Sequence, residues 1–243
     1  MRLALTGAAG YTGRGVAEVL RGEHWVRGVD VRESAPHAGE SLVGDIADLE
    51  FCRRAVCDVE ALVLCHMAPR PAAYETPVVC MDSNVKGTAN LYHAAVEAGV
   101  GRVVLISTMG LVGNRPGVVV VPGDGPYNFK GELYTLTKIL QEVIARYYHD
   151  EHGVGTVLLR PGWIVYDEDF HTKYGDKLER YDPSLVDPRD IGHAILAALA
   201  LPEAGLEAFQ LAQDDCGFDL TATRERLGWR PRYRFTGLLR TPS

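Results

Sequence analysis

Short apolar runs alternate with longer helical patterns along almost the whole chain. Strands are predicted at 2–7, 25–31, 41–45, 61–65, 102–108 and 155–162, and helices at 13–22, 48–57, 81–98 and 132–149. Strands that alternate with helices pair in parallel through right-handed crossovers, so that helices cover both faces of the sheet. The alternation therefore predicts one doubly wound α/β domain with a mostly parallel sheet of about seven strands.

Two irregular stretches interrupt this pattern, at 109–131 and at 166–188. Each follows a predicted strand, so each should emerge at the carboxyl end of the sheet, where folds of this kind bind ligands. Long irregular loops in a compact domain are usually functional. We therefore expect 166–186, together with 201–243, to form a small C-terminal substrate cap on the single domain.

Composition and charge exclude several kinds of partner. The chain has 243 residues and a formal charge of −7, which argues against nucleic-acid and anionic-membrane surfaces, since both reward clustered Lys and Arg. No apolar run reaches the ~20 residues of a membrane span, and "MRLALTGAAG" enters the fold directly, leaving no room for a signal peptide. Five cysteines without C-x-x-C spacing indicate reduced thiols, no metal site and a cytoplasmic location.

The sequence "TGAAGYTG" at 6–13 places three glycines between the first strand and the first helix. Gly7 allows a tight turn, Gly10 lets the backbone approach a pyrophosphate, and Gly13 lets the helix pack closely on the sheet. The positive end of the helix dipole then faces the phosphates. The pattern favours a dinucleotide site of the Rossmann type, although a tight turn without a ligand needs the same glycines. The other predicted cofactor contacts of this turn are Ala9, Tyr11 and Thr12.

Asp30 ends the second predicted strand. A carboxylate at this place accepts hydrogen bonds from the adenine ribose hydroxyls and repels a 2′-phosphate, which favours NAD over NADP. Arg14 and Arg32 are basic neighbours that keep NADP as the second choice. Val31 is counted with the same site.

The end of the third strand offers a further pair, Asp45 and Ile46. The two residues either flank the adenine ring or serve as a turn acid and a core aliphatic residue. Both interpretations fit the sequence equally well.

Several motifs, taken in order, resemble those of one family. These are T-G-x-x-G-x-x-G, the acidic end of the second strand, "DSNVKGTANLYHAAVEAGVGRVVLIST", a Y-x-x-x-K and "LRPGWIVY". Over roughly residues 1–200 the chain looks like a short-chain dehydrogenase/reductase of the extended, NAD-dependent epimerase/dehydratase type. Its size and layout are similar to the compact uronate dehydrogenases, which implies an NAD-dependent enzyme with a much reduced substrate-binding region.

Tyr134 and Lys138 form the Y-x-x-x-K and share one helix face, because residues four apart are neighbours on a helix. By itself this spacing also fits a surface contact. The resemblance implies that Tyr134 is the general acid/base and that Lys138 holds the nicotinamide ribose and lowers the pKa of the tyrosine. Thr108 occupies the family's position for the hydroxyl that binds the reacting oxygen.

Other residues carry over from the resemblance as cofactor contacts: Cys65, His66, Asn84, Ser107, Pro161 and Trp163. Asn84 either contacts backbone near the active site or is a polar residue on a helix surface. Ser107 is a strand-end hydroxyl or a substrate contact. His66, from the departing stretch "CHMAPRP", is a structural residue or a substrate contact, and Arg160 is interpreted as structural.

The departures from the family narrow the function. Thr108 is followed by Met109 and Gly110, where dehydratases have Asp-Glu, and this argues against dehydration. The uronate enzymes also usually differ here, since they have Ser-Asn where this chain has Thr108 and Met109. The segment that would grip a nucleotide sugar is short.

We therefore predict an NAD-dependent oxidoreductase acting on a hydroxyl of a small sugar or sugar acid, as a homodimer or larger homo-oligomer. Alternatives are a nucleotide-sugar epimerase with the same catalytic set and a non-catalytic NAD(P)-sensing regulator. His66, Thr108, Met109 and Arg180 are the predicted substrate contacts. A carboxylate anchor is expected from Arg180, Lys173, Lys177 and His171, unless this loop is only a solvated charged segment.

Overall fold

A computed structural model describes residues 1–34, 39–113, 120–202 and 205–240. Seven strands form the main sheet: β1 Arg2–Thr6, β2 Trp25–Asp30, β3 Glu40–Val43, β4 Ala61–Leu64, β5 Arg102–Ile106, β6 Gly155–Pro161 and β9 Leu206–Leu211. Their order is β3-β2-β1-β4-β5-β6-β9, and all six pairings are parallel. The prediction of a seven-stranded doubly wound sheet is confirmed.

Seven α-helices accompany the sheet within the described residues: α1 Tyr11–Leu20, α2 Leu49–Ala55, α3 Pro77–Cys80, α4 Gly87–Glu97, α5 Leu133–His152, α6 Pro188–Ala200 and α7 Thr221–Glu225. Two buried apolar clusters lie on opposite faces of the sheet. One is built largely from β1, β6, α1 and α6, and the other from α2, α4 and α5 with the alternate strand residues. This is the arrangement that parallel strands with helical crossovers require.

Strand β9 and helix α6 are the two longest elements that were missing from the predicted pattern. Strand β9 lies in the tail that was assigned wholly to the cap, where it pairs with β6. Helix α6 begins with Asp187, whose side chain accepts a hydrogen bond from the Arg189 N–H, and with Pro188 in the first turn. Both are ordinary helix-start signals. Both residues lie at the end of the stretch that the sequence predicts to be irregular.

The predicted helix at 81–98 is regular only from Gly87 onward. Residues Met81–Lys86 form a π-helical turn, in which the wider coil replaces the ordinary hydrogen-bond pattern. The turn carries Asn84 into the interior, where this side chain is fully buried. The π turn therefore places a polar side chain in the protein interior.

The cap is a small unit at the carboxyl edge. Strands β7 Trp163–Ile164 and β8 Leu185–Val186 pair in parallel, and the loop between them contributes Phe170 to an apolar cluster that also holds Phe235 and Leu238 from the tail. The two segments expected in the cap thus pack together. Residues 114–119, 203–204 and 241–243 of the predicted loop and tail lie outside the described residues. None of the described helices combines the length and the apolarity needed to cross a bilayer.

A buried ion pair joins α5 to β6. The Arg160 guanidinium donates two hydrogen bonds to the Glu142 carboxylate, at 2.9 and 2.7 Å, and neither side chain has more than 4% of its surface exposed. Ser107 and Tyr127 donate their hydroxyls to the same carboxylate, at 2.6 and 3.0 Å. Because each charge is fully paired, the network fixes α5 against the ends of β5 and β6 at little cost in unpaired polar groups.

Replacing Glu142 with Gln should lower the free energy of unfolding by about 3–5 kcal/mol, since the Arg160 charge would stay buried without its partner. Denaturant unfolding of the two proteins measures the difference. Glu97→Gln is the matched control, because it removes a carboxylate that binds Arg53 in the same two-bond manner but in water. Water screens exposed ion pairs, so the control should lose far less. Equal losses in the two variants would contradict the assigned role of Glu142.

Candidate active site

A cleft of about 710 Å³ opens at the carboxyl ends of the central strands. The glycine turn after β1, the end of β2, the loop after β4 and the start of α5 all border it. Such a crevice at the carboxyl edge is the usual ligand site of open α/β sheets. Most of the predicted cofactor contacts border it: Gly7, Ala9, Gly10, Tyr11, Thr12, Gly13, Asp30, Val31, Asp45, Ile46, Cys65, His66, Ser107, Tyr134 and Lys138.

The glycine turn has the geometry that its sequence predicted. Gly7 has a φ of +69°, and a Cβ atom there would lie 2.8 Å from the Cys65 carbonyl oxygen. A Cβ on Gly13 would lie 2.0 Å from the Gly7 carbonyl oxygen, so the helix packs directly on the turn. Helix α1 begins after Gly10 without a side-chain cap. Its first N–H groups therefore lack a side-chain partner at the N-cap, and the turn fits a phosphate group.

Asp30 ends β2 and borders the cleft beside the glycine turn. Its carboxylate accepts hydrogen bonds from the backbone N–H groups of Ala9, at 3.0 Å, and of Arg32, at 3.1 Å, and it is 8% exposed. The donors fix the carboxylate at the end of β2, next to the glycine turn. The Arg32 side chain, 70% exposed, reaches to 3.9 Å from the same carboxylate. The residues present therefore fit a dinucleotide. The Asp30 carboxylate lies next to the glycine turn, and the Arg32 guanidinium lies beside the carboxylate.

Tyr134 and Thr108 lie close together beside the cleft. Tyr134 lies in the first turn of α5 and borders the cleft, Thr108 follows β5, and the Thr108 hydroxyl is near enough to the phenol to act on its pKa. Burial raises the pKa of Tyr134 to about 12, while the Thr108 hydroxyl and the Arg70 guanidinium act to lower it. The sequence predicted that these two hydroxyls come together, and the structure brings them together.

Lys138 borders the cleft one helical turn after Tyr134. Its ammonium group donates a hydrogen bond of 2.5 Å to the Ile106 carbonyl oxygen, and burial lowers its pKa to about 7. The role that the resemblance implies for Lys138, lowering the pKa of Tyr134, stays a prediction.

His66 is held by two hydroxyls. Its Nδ1 lies 2.8 Å from the Thr6 hydroxyl and its Nε2 lies 3.1 Å from the Thr88 hydroxyl. Thr88 donates its own proton to the Asn84 carbonyl oxygen at 2.6 Å, so Nε2 must carry the imidazole proton and Nδ1 must accept from Thr6. Burial lowers the pKa of His66 to about 3. Both nitrogens of a neutral ring are thus occupied, which favours the structural interpretation over a substrate contact.

Asn84 and Ser107 likewise belong to the support of the cleft. Asn84 accepts a hydrogen bond of 2.7 Å from the Ala68 N–H and donates to the Tyr74 and Thr137 hydroxyls, so the interpretation as a surface residue is wrong. It contacts backbone beside the site, as the family pattern implied, but does not border the cleft. Ser107 borders the cleft, yet its hydroxyl is donated to the buried Glu142.

Besides Asn84, several predicted contacts are not among the residues that line the cleft, including Met109, Pro161, Trp163 and Arg180. Met109 is buried, and Arg180 is exposed and pairs with the backbone of Leu239. Thr108 is not a lining residue either, but it reaches the site through Tyr134. The expected anchor is therefore reduced to Lys173. Lys177 and Arg180 lie outside the cleft lining, and His171 offers its backbone carbonyl to the Tyr11 hydroxyl.

Arg70 and Tyr174 border the cleft and were missing from the predicted site. Arg70 belongs to "CHMAPRP", which had been singled out because it departs from the family. This departure from the family is the sequence feature that could have identified Arg70 as a site residue. Arg70 donates to Glu132, and Lys173 lies 5.9 Å from the ring centroid of Tyr134. The substrate end of the cleft thus combines aromatic rings with two cations.

Comparison with known proteins identifies the family of this chain. The model of the family described as "NAD dependent epimerase/dehydratase family" matches residues 3–181. The chain belongs to this family, as the sequence motifs predicted, and with it to the NAD-dependent enzymes.

Among its relatives is the L-arabinose 1-dehydrogenase (NAD(P)(+)) of Haloferax volcanii, 28% identical over 95% of this chain and 96% of that protein. Another is the uronate dehydrogenase of Pseudomonas syringae pv. tomato, 29% identical over 80% of this chain and 73% of that protein. The crystal structure of uronate dehydrogenase from Agrobacterium tumefaciens is similar with a TM-score of 0.76 and 26% identity, covering 95% of this chain and 84% of that one.

The neutral His66 has a measurable consequence for stability. Below about pH 6.5 the unfolded chain takes up a proton on this residue, whereas the folded chain does so only near pH 3. The stabilisation present above about pH 6.5 is therefore lost as the pH falls. Between about pH 7 and about pH 5 this single residue should cost about 2 kcal/mol of unfolding free energy.

The test is denaturant unfolding of the parent protein and of His66→Gln at both pH values. The variant lacks the titrating group, so its stability relative to the parent should improve by about 2 kcal/mol on going to the lower pH. A difference between the two proteins that is the same at both pH values would mean that the folded chain also protonates His66.

Proposed function

We propose that this protein oxidises a hydroxyl group of a small sugar or sugar acid, with NAD as the hydride acceptor. The observation that carries the proposal is the proximity of Thr108 to Tyr134, which borders the same cleft as the glycine turn and Asp30. Two polar hydroxyls beside a cofactor cleft suit proton removal from an alcohol. The dehydrogenases among the relatives support the same reaction class.

In this mechanism the substrate hydroxyl is bound by Thr108 and Tyr134 together. The Tyr134 phenolate accepts the hydroxyl proton, and Thr108 keeps the oxygen oriented by donating or accepting a hydrogen bond. When bound, NAD would accept the hydride that leaves the carbon bearing this hydroxyl. Lys138, anchored by the Ile106 carbonyl, is the side chain available to hold the nicotinamide ribose. Fixed positions of these groups lower the entropic cost of reaching the reactive geometry.

The substrate end of the cleft supports a sugar acid over a neutral sugar. Lys173 lies 5.2 Å from the Tyr174 ring centroid, and within the described part of the chain it has no acidic ion-pair partner. An ammonium group without a carboxylate beside it is suited to the carboxylate of a ligand. The short cap, with its small apolar cluster, leaves little chain to grip a nucleotide.

The experiment that tests the function is a thermal-shift screen of free sugars, sugar acids and nucleotide sugars with NAD present, followed by turnover of each hit. A dehydrogenase accumulates NADH in proportion to substrate consumed. An epimerase with the same residues returns the hydride and accumulates none. Absence of NADH formation from every ligand that stabilises the protein would contradict the proposed reaction.

The cofactor preference should follow from Asp30. We expect NAD to bind at least about tenfold more tightly than NADP, because the carboxylate repels a 2′-phosphate and the ribose hydrogen bonds would be lost. Asp30→Ala should narrow this preference, and Arg32→Ala should weaken NADP binding more than NAD binding. Titration calorimetry of both cofactors measures the dissociation constants. Equal affinities in the parent protein would refute the role of Asp30.

Tyr134→Phe should leave NAD binding nearly intact but reduce turnover by ~10²–10⁴-fold, because the ring is kept while the transferable proton is lost. Lys138→Ala should weaken both NAD binding and turnover. In the parent protein, oxidation should accelerate as the pH rises, since burial favours the neutral phenol and the reaction needs the phenolate. Calorimetry and steady-state kinetics measure these effects. A Tyr134→Phe variant with normal turnover would show that another group carries the proton.

A further inference from the structure

Arg70 lies over the ring of Tyr134. Its guanidinium carbon is 5.0 Å from the ring centroid of Tyr134, and 5.8 and 5.9 Å from those of Tyr74 and Tyr174. Hydrogen bonds to Glu132 and, at 3.5 Å, to the Tyr174 hydroxyl hold it in this position. The arginine thus comes from the loop after β4 and reaches across to the first turn of α5. A cation at this distance stabilises the ring electrostatically, and more so when the ring carries the charge of a phenolate.

The charged and titratable groups that face Tyr134 come from several elements. Arg70 and Tyr74 follow β4, Lys173 and Tyr174 belong to the cap loop, Glu132 and Lys138 lie beside or on α5, and Thr108 follows β5. Lys173 lies farther from the Tyr134 ring than Arg70, at 5.9 Å. Glu132 is bound to the guanidinium and offsets part of its charge.

Lys138 lies one helical turn from Tyr134, and its ammonium group donates a hydrogen bond to the Ile106 carbonyl oxygen. Arg70 differs from it in two ways. Its guanidinium lies over the Tyr134 ring itself, and arginine keeps its charge at every pH at which a protein is stable. Arg70 therefore adds a permanent charge beside the phenol.

We propose that Arg70 is a positioning residue whose charge, beside that of Lys138, stabilises the phenolate of Tyr134. The inference rests on the proposed function, in which Tyr134 removes a proton. Arg70 acts through the tyrosine and not on the substrate. The positive charge of Arg70 stabilises the negative charge that Tyr134 must carry before the tyrosine can accept the proton.

The test is the pH dependence of kcat for oxidation, measured at saturating substrate and NAD from about pH 6 to about pH 11. Arg70→Gln should move the rising limb upward by about half to one pH unit, so that kcat falls about three- to tenfold at low pH and recovers as the pH increases. Arg70→Lys keeps the charge and should retain most of the activity. Lys138 is unchanged in all the proteins, so its contribution to the profile is the same in each.

Arg230→Gln is the matched control, since it removes an exposed arginine that pairs with Asp214 and lies outside the cleft lining. Its profile should coincide with that of the parent. A loss of kcat in Arg70→Gln that is equal at every pH, or that Arg70→Lys shares, would overturn the inference. A change confined to KM would do the same, because it would assign Arg70 to substrate binding. If the parent forms no NADH at all, the proposed function fails instead.

Discussion

Parallel pairing of all seven strands is the constraint on which the site depends. Because each strand runs in the same direction, every loop that follows a strand emerges at one edge. Residues that are far apart in the sequence therefore share this edge. They are the glycine turn after β1, Asp30 at the end of β2, Arg70 after β4 and Thr108 after β5. The crossover helices then bring Tyr134 to the same place, at the start of α5.

Residues that lie next to an element end were the most predictable from the sequence. Gly7 and Thr108 follow a buried strand and Asp30 ends one, so their place is fixed once the strand is recognised. Arg180 was wrong as a cleft residue because it lies inside a loop, where the side-chain direction depends on packing against the tail. Strand β9 was missed for a related reason. The pairing of β9 with β6 becomes apparent only when β6 is known to need a second neighbouring strand.

The support beneath the cleft is a set of polar side chains with almost no exposure. His66, Asn84 and Thr88 join the ends of β1 and β4 to the π turn and to α5 through a continuous series of hydrogen bonds. Sequence patterns identify such residues only as polar positions, because their partners lie on other elements. Their value is positional, since a satisfied buried network holds one geometry and penalises others.

Burial affects the three cations near Tyr134 differently. The Lys138 ammonium group is buried and donates a hydrogen bond of 2.5 Å to the Ile106 carbonyl oxygen, and the same loss of water lowers its pKa. Arg70 and Lys173 keep part of their contact with water, and Glu132 offsets part of the Arg70 charge. The buried ammonium group is therefore fixed in place while burial disfavours its charge. The guanidinium over the Tyr134 ring keeps its charge, but water and Glu132 weaken its field.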